Sequence, residues 1–242
     1  MVAQDGITIT WMGHATTKIE TADGKVILID AWLEHNPATP DDLKNIPRVD
    51  LMLISHGHFD HTGDAVAIAE RTQPQIIAVL EVCSWLESKG IKNCQGMNIG
   101  GTQQWNGIDI TAVPAVHSST MQEGDETIPG GLAAGYILRF PDGFAVYHAG
   151  DTAVFGDMQL IGRLYQPDIA LLPIGDYFTM GPREAAEAIR LLGVKCVIPI
   201  HYGTFPVLTG TPDMLRDATS DVAGLQLLPL KPGESVRQSE LK

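Results

Sequence analysis

The chain has 242 residues, 44% of them hydrophobic and 19% charged, which is enough length for a substantial core and an ordinary globular composition. Its formal net charge of −13 opposes phosphate backbones, so nucleic acid is not an expected partner. No stretch approaches the ~20 apolar residues of a membrane span, and MVAQDGITIT lacks the basic start and apolar core of a secretory leader, so a cytoplasmic setting is expected.

The opening of the chain predicts strands. Ile7, Ile9 and Trp11 alternate with polar residues, and Thr17 to Glu20 and Lys25 to Asp30 flank an Ala22-Asp23-Gly24 turn, a hairpin pattern. Residues 35–48 carry three prolines and read as loop. Val49 to Ile54 is an apolar run broken only by Asp50, as a buried strand would be. Past a His-rich loop, Asp64 to Arg71 reads as a helix with Thr62 or Asp64 as its cap. Cys83, Cys94 and Cys196 form no C-x-x-C pair and are odd in number, which reads as buried or free thiols in a reducing compartment. Strand-like runs follow at Ile108 to Val116 and Phe144 to Tyr147, separated by a polar loop over residues 118–131.

A second copy of one unit then appears. Val49 to His56 matches Pro167 to Ile174 at an offset of 118, since Asp50 meets Asp168 (168 − 50 = 118). Asp64 then meets Pro182, a good first helical residue after Gly181. Ile76 to Leu80 corresponds loosely to Val194 to Ile200. Two related halves, roughly 1–120 and 121–242, predict a single α/β domain over 1–242: a four-layer αβ/βα sandwich with its site at the strand ends where the halves meet. Only the first copy keeps the histidines, because His56, His58 and His61 fall opposite Ile174, Asp176 and Thr179.

Those histidines carry the chemistry. His56-x-His58-x-Asp60-His61 follows a buried strand, so His56 and His58 can converge on one metal while Asp60 and His61 turn toward a second. Distant donors stand at other strand ends: His117 after Ile108 to Val116, Asp151 in Gly150-Asp151-Thr152, and His201 after Lys195 to Ile200. His14 and Asp30 are candidates for orienting ligands, and His148, three residues before Asp151, for a supporting or proton-donating role. His35 reads as a surface residue, and Trp11, Trp32, Trp85 and Trp105 as core.

The order His56-x-His58-x-Asp60-His61, His117, Gly150-Asp151-Thr152, His201 resembles the metallo-β-lactamase superfamily of metal-dependent hydrolases over residues ~6–205. Trp11-Met-Gly-His14-Ala, Phe178-Thr-Met-Gly-Pro182 and His201-Tyr-Gly-Thr-Phe-Pro206 are similar to its UPF0173 branch. That branch is similar in turn to ascorbate-6-phosphate lactonases and, more distantly, to N-acyl phosphatidylethanolamine phospholipase D. The resemblance implies that His56, His58 and His117 hold one metal, that Asp60, His61 and His201 hold another, and that Asp151 bridges them. It implies two divalent ions, zinc by default, with manganese and iron suited to the same donors. Relatives of this kind often self-associate, so a homo-oligomer stays open.

The expected activity is hydrolysis of a small ester or lactone by a metal-bridging hydroxide, with Asp60 positioning it and taking up its proton. Residues 55–70, 117–138, 150–162, 174–182 and 201–215 contain no Lys or Arg, which disfavours a remote phosphate on the substrate. A phosphodiesterase acting on a small phosphodiester is the runner-up. A non-catalytic metal or metabolite sensor and a flavin-linked diiron reductase are minor alternatives, the latter lacking room for a flavin domain.

Overall fold

The computed structural model describes residues 6–241 of the protein. Half of the N-terminal leader reading falls on residues 1–5, outside the described residues. The chain divides into two compact units: residues 1–97, 119–131 and 230–242 form the first, and residues 98–118 and 132–229 the second.

The first unit opens with β1 (Thr8–Gly13), β2 (Thr16–Glu20) and β3 (Val26–Ile29), the expected hairpin region. Then come β4 (Leu51–Ile54), a single helical turn α1 (Phe59–Thr62), α2 (Ala65–Thr72), β5 (Gln75–Val79), α3 (Leu80–Ser88) and β6 (Cys94–Met97). The second unit begins with β7 (Thr102–Trp105) and β8 (Ile108–Pro114). The chain returns to the first unit for β9 (Thr120–Glu123) and β10 (Glu126–Pro129). It completes the second with β11 (Ala134–Arg139), β12 (Ala145–His148), α4 (Met158–Tyr165), β13 (Ile169–Pro173), α5 (Pro182–Leu192), β14 (Cys196–Ile200), α6 (Pro212–Ala218) and β15 (Gln226–Leu227). The last strand, β16 (Ser235–Arg237), pairs antiparallel with β1.

Each unit holds a seven-stranded mixed sheet, and the two sheets share one plan. The first runs β16-β1-β2-β3-β4-β5-β6 and the second β7-β8-β11-β12-β13-β14-β15. In both, the first three pairings are antiparallel and the last three parallel. The repeat extends to single bonds. Asp50 accepts the Val26 N–H at 2.8 Å just before β4, and Asp168 accepts the Ala145 N–H at 2.7 Å just before β13. Parallel strands buried on both faces need continuous apolar runs. Leu51 to Ile54 and Ile169 to Pro173 supply them and are buried throughout.

Helix α5 starts as the sequence predicts, with Gly181 before Pro182, and stops at Gly193, whose φ of 67° gives the left-handed cap. Helix α2 differs from expectation. Its N-cap Asp64 makes no side-chain capping bond; the carboxylate turns back to accept the Leu33 and Glu34 N–H groups at 2.5 and 2.8 Å. Asp64 therefore fixes the loop after β3 instead of the helix.

Two further expectations are corrected. Residues 118–131 are not a loop throughout: they form the β9–β10 hairpin, anchored where Trp85 Nε1 donates to Glu123 and where Lys89 pairs with the same carboxylate. Cys83 and Cys94 are not free thiols. They lie 5.4 Å apart at Cα and form a disulfide between α3 and β6, because that helix packs on the strand that follows it. Cys196 is free and buried, and burial pushes its thiol pKa up to about 11. Among the described residues no helix is long and apolar enough to cross a membrane.

Candidate metal centre

In the first unit the donors sit just past the ends of parallel strands. Strand β4 delivers Ser55 and His56, and the helical turn α1 rotates Asp60 and His61 back beside them. His56 Nε2 lies 2.9 Å from His58 Nδ1, and the His56 and His61 rings are 4.1 Å apart at their centroids. His14, Asp60 and His61 each bring one donor atom within 4.8 Å of the others.

A buried carboxylate sets the orientation. Asp30 is fully buried and accepts three hydrogen bonds, from the Ser55 N–H, the Ser55 hydroxyl and His61 Nδ1, each 2.8 Å long. A carboxylate can only accept, so His61 carries its proton on Nδ1 and turns Nε2 toward Asp60, 3.9 Å away. With its hydroxyl proton given to Asp30, Ser55 accepts from His56 Nδ1 at 3.0 Å, so the His56 lone pair also lies on Nε2. His14 donates from Nε2 to Asp60 Oδ2 at 2.9 Å and thereby holds Asp60. Ser119 supports the loop from outside, accepting the Gly57 N–H at 3.1 Å and donating to the Gly130 carbonyl at 2.9 Å.

In the second unit Asp151 is the hub. One of its oxygens, Oδ2, lies 3.1 Å from His201 Nε2 and 3.6 Å from His117 Nε2. Thr152 ties the neighbouring strand end in place: its hydroxyl accepts the Val116 N–H at 3.0 Å, next to His117. His148 is fully buried at the end of β12, where its Nδ1 accepts the Gly150 N–H at 3.2 Å. It therefore shapes the turn that presents Asp151.

Backbone strain gathers at the same strand ends. Of the eight non-glycine residues with positive φ among those described, five are His14, Asp30, Asp176, Tyr177 and His201. Left-handed backbone is costly for side-chain-bearing residues and persists where surrounding contacts over-determine it.

The donor chemistry fits divalent metal. Zinc takes imidazole and carboxylate ligands at about 2 Å, so ligands on one ion sit roughly 3–3.5 Å apart. Separations of 2.9 Å in the first unit and 3.1 and 3.6 Å in the second fall around that spacing. The first unit brings together His14, Asp30, His56, His58, Asp60 and His61, and the second brings together His117, Asp151 and His201. Ser55 and Ser119 had no role in the sequence reading. Ser55 stands 25 positions from Asp30, and only the parallel pairing of β3 with β4 joins them.

Known proteins identify the family. Residues 25–202 match the family described as the Beta-lactamase superfamily domain. A UPF0173 metal-dependent hydrolase of Koribacter versatilis is 50% identical over 230 residues, covering 95% of this chain and 97% of that protein. Another, from Rubrobacter xylanophilus, is 49% identical over 233 residues, covering 96% of each. This chain belongs to the UPF0173 metal-dependent hydrolases of the beta-lactamase superfamily. A solved metallo hydrolase of Ignicoccus hospitalis shares its fold, with a TM-score of 0.83, 38% identity, and coverage of 95% of this chain and 97% of that one. The UPF0173 chain is thus a metal-dependent hydrolase with the metallo-β-lactamase fold, as the motif order implied.

Proposed function

We propose that the two donor clusters serve one dinuclear centre within a single catalytic domain, and that the enzyme cleaves a small, uncharged ester or lactone. In this reading His56, His58 and His117 would hold one ion, Asp60, His61 and His201 would hold the other, and Asp151 would serve both. Catalytic sites of this kind use about three protein ligands per ion and keep one position open. The first unit's four ligands or the second unit's three would be too few for two such ions, whereas seven with a shared carboxylate suffice. Zinc is the default, and manganese or iron suit the same donors. When bound, such a pair acidifies a shared water and polarises the bond under attack.

The protein's own residues do the rest. Asp60, steadied by His14 at 2.9 Å, positions the nucleophilic water and takes its proton. Asp30 and Ser55 hold the His61 and His56 tautomers that leave the Nε2 lone pairs to serve as metal donors. His148, with Nδ1 engaged by Gly150, carries its proton on Nε2 and is the proposed donor to the leaving group.

The substrate class rests on one observation. The loops bearing these residues, 55–70, 117–138, 150–162, 174–182 and 201–215, contain no Lys or Arg. A phosphate held away from the metals would want such a cation. Elemental analysis followed by a panel of lactones, aryl esters and bis-p-nitrophenyl phosphate tests the proposal. Metal-dependent lactone or ester turnover is expected to dominate; phosphodiester turnover far above it would reverse the assignment. A cytoplasmic setting belongs to the proposal too, and the Cys83–Cys94 pair bears on it. Thiol titration of the denatured protein from cytosol is expected to find the pair still oxidised; two additional free thiols would show it reduced there.

A further inference from the structure

The loop after β13 occupies, by the internal repeat, the place of the metal loop after β4. At the offset of 118, Asp176, Tyr177, Phe178 and Thr179 fall opposite His58, Phe59, Asp60 and His61. No metal ligand type but Asp176 survives there. What stands instead is an exposed aromatic pair: Tyr177 is 70% and Phe178 54% exposed, with ring centroids 4.7 Å apart at 82°.

The pair is built, not incidental. Asp176 and Tyr177 both take left-handed backbone, with φ of 68° and 59°. The Asp176 carboxylate accepts the Tyr177 N–H at 2.7 Å, and the Phe178 N–H reaches the Asp176 carbonyl at 2.7 Å. Both ends of the loop are tied to the donor cluster of their own unit. The Met180 N–H bonds the carbonyl of Thr152, the residue after Asp151, at 3.2 Å. Gly175 lies so close to the His201 carbonyl that a Cβ there would collide with it. Two further exposed apolar residues of the same unit stand near candidate donors in sequence: Val116, 52% exposed beside His117, and Val207, 41% exposed beyond His201.

Exposed apolar residues that cluster, rather than standing singly, mark surfaces that take a ligand. Here they stand on a loop without Lys or Arg whose two ends are tied to Thr152, next to Asp151, and to the His201 carbonyl, and the acidic Asp176 beside them repels anions. We infer that Tyr177 and Phe178 form the substrate-selecting element of the enzyme and take an uncharged aromatic or branched aliphatic group attached to the scissile ester or lactone. The inference rests on the hydrolase reading above and adds the character of the side group. The half of the repeat that lost its histidines kept the strand-end position and turned it to substrate.

The test compares zinc-loaded wild type with the double variant Tyr177→Asn, Phe178→Ser, asparagine being tolerant of left-handed backbone. The substrates are γ-butyrolactone and γ-phenyl-γ-butyrolactone, which share the reacting bond. Wild type is expected to favour the phenyl lactone, and the variant to lose roughly ten-fold of that preference in kcat/KM through KM rather than kcat. Leu164→Ser, at an exposed apolar residue of α4, should keep the preference. A second arm measures binding of the two ring-opened hydroxy acids by calorimetry. If neither lactone is turned over, the ester and lactone reading fails by itself, while a phenyl preference in binding that the variant loses still supports the inference. Equal affinity for the two acids, a preference unchanged in the variant, or a variant altered only in oligomeric state would overturn it.

Discussion

Asp30 shows how one residue can govern the proposed metal loop without being one of its proposed ligands. It is fully buried, sits in left-handed backbone at φ 58°, and accepts from both Ser55 donors and from His61. Removing its charge leaves His61 free to adopt the other tautomer and Ser55 free to rotate. Asp30→Asn should therefore weaken metal binding about 10–100-fold, the range seen when a ligand's hydrogen-bond partner is lost. Competition with a chromophoric chelator measures this, and unchanged affinity would remove Asp30 from the account. Asp50 acts on stability instead. Burial raises its pKa, but the Arg48 bond, the Val26 N–H and the charges of Arg48 and Lys25 outweigh that and hold its carboxyl below the ordinary range. A depressed folded pKa means that the stabilisation is complete above the unfolded value, about 4, and fades as pH falls through the lower folded value. Asp50→Asn should lower the thermal midpoint at pH 6 and flatten its fall between pH 6 and 3; parallel curves would contradict this. The candidate ligands were legible because His and Asp at strand ends announce themselves by type. Asp30 was legible only as a strand-end acid and Ser55 not at all, since both roles arise from pairing between β3 and β4.

Elements were readable where a pattern is local. The apolar runs of β4 and β13 and the Gly181-Pro182 start of α5 were plain in the sequence, and their shared offset revealed the repeat that both sheets now display. The β9–β10 hairpin was not, because Gln122 to Glu126 is as polar as any loop and its strands are held by Trp85 and Lys89, far off in sequence. The disulfide was equally hidden. Cys83 lies in a helix and Cys94 in a strand 11 positions on, a spacing that belongs to no motif. Closing so short a loop constrains the unfolded chain by about 3 kcal/mol at most in the chain-entropy account. The Cys83→Ser, Cys94→Ser variant should thus lose about 2–3 kcal/mol in urea unfolding, and reductant should shift wild type toward it. Equal stability with and without reductant would show the bond to be inconsequential.

At the scale of the whole molecule, the −13 charge and the cation-free loops both disfavour an anionic substrate, in line with the proposed small neutral one held by its reacting bond and its apolar side group. The centre itself can be tested as a unit. If the donors of the two units held separate ions, His58→Ala in the first would leave metal on Asp151, His117 and His201 intact, and Asp151→Ala would spare the first unit's cluster. The proposed shared centre makes the opposite demand: each ion needs ligands from both clusters, and Asp151 serves both. Each single variant should then fall well below the about two equivalents expected of wild type, with hydrolysis lost in parallel. Chelation should also destabilise the fold, because ions that bind only the folded chain contribute about 2.7 kcal/mol at a hundred times their dissociation constant. Elemental analysis with thermal unfolding, before and after chelation, reads both effects. One equivalent retained in His58→Ala with an unchanged midpoint would divide the centre in two, and Asp151 would become the ligand of an independent second-unit site.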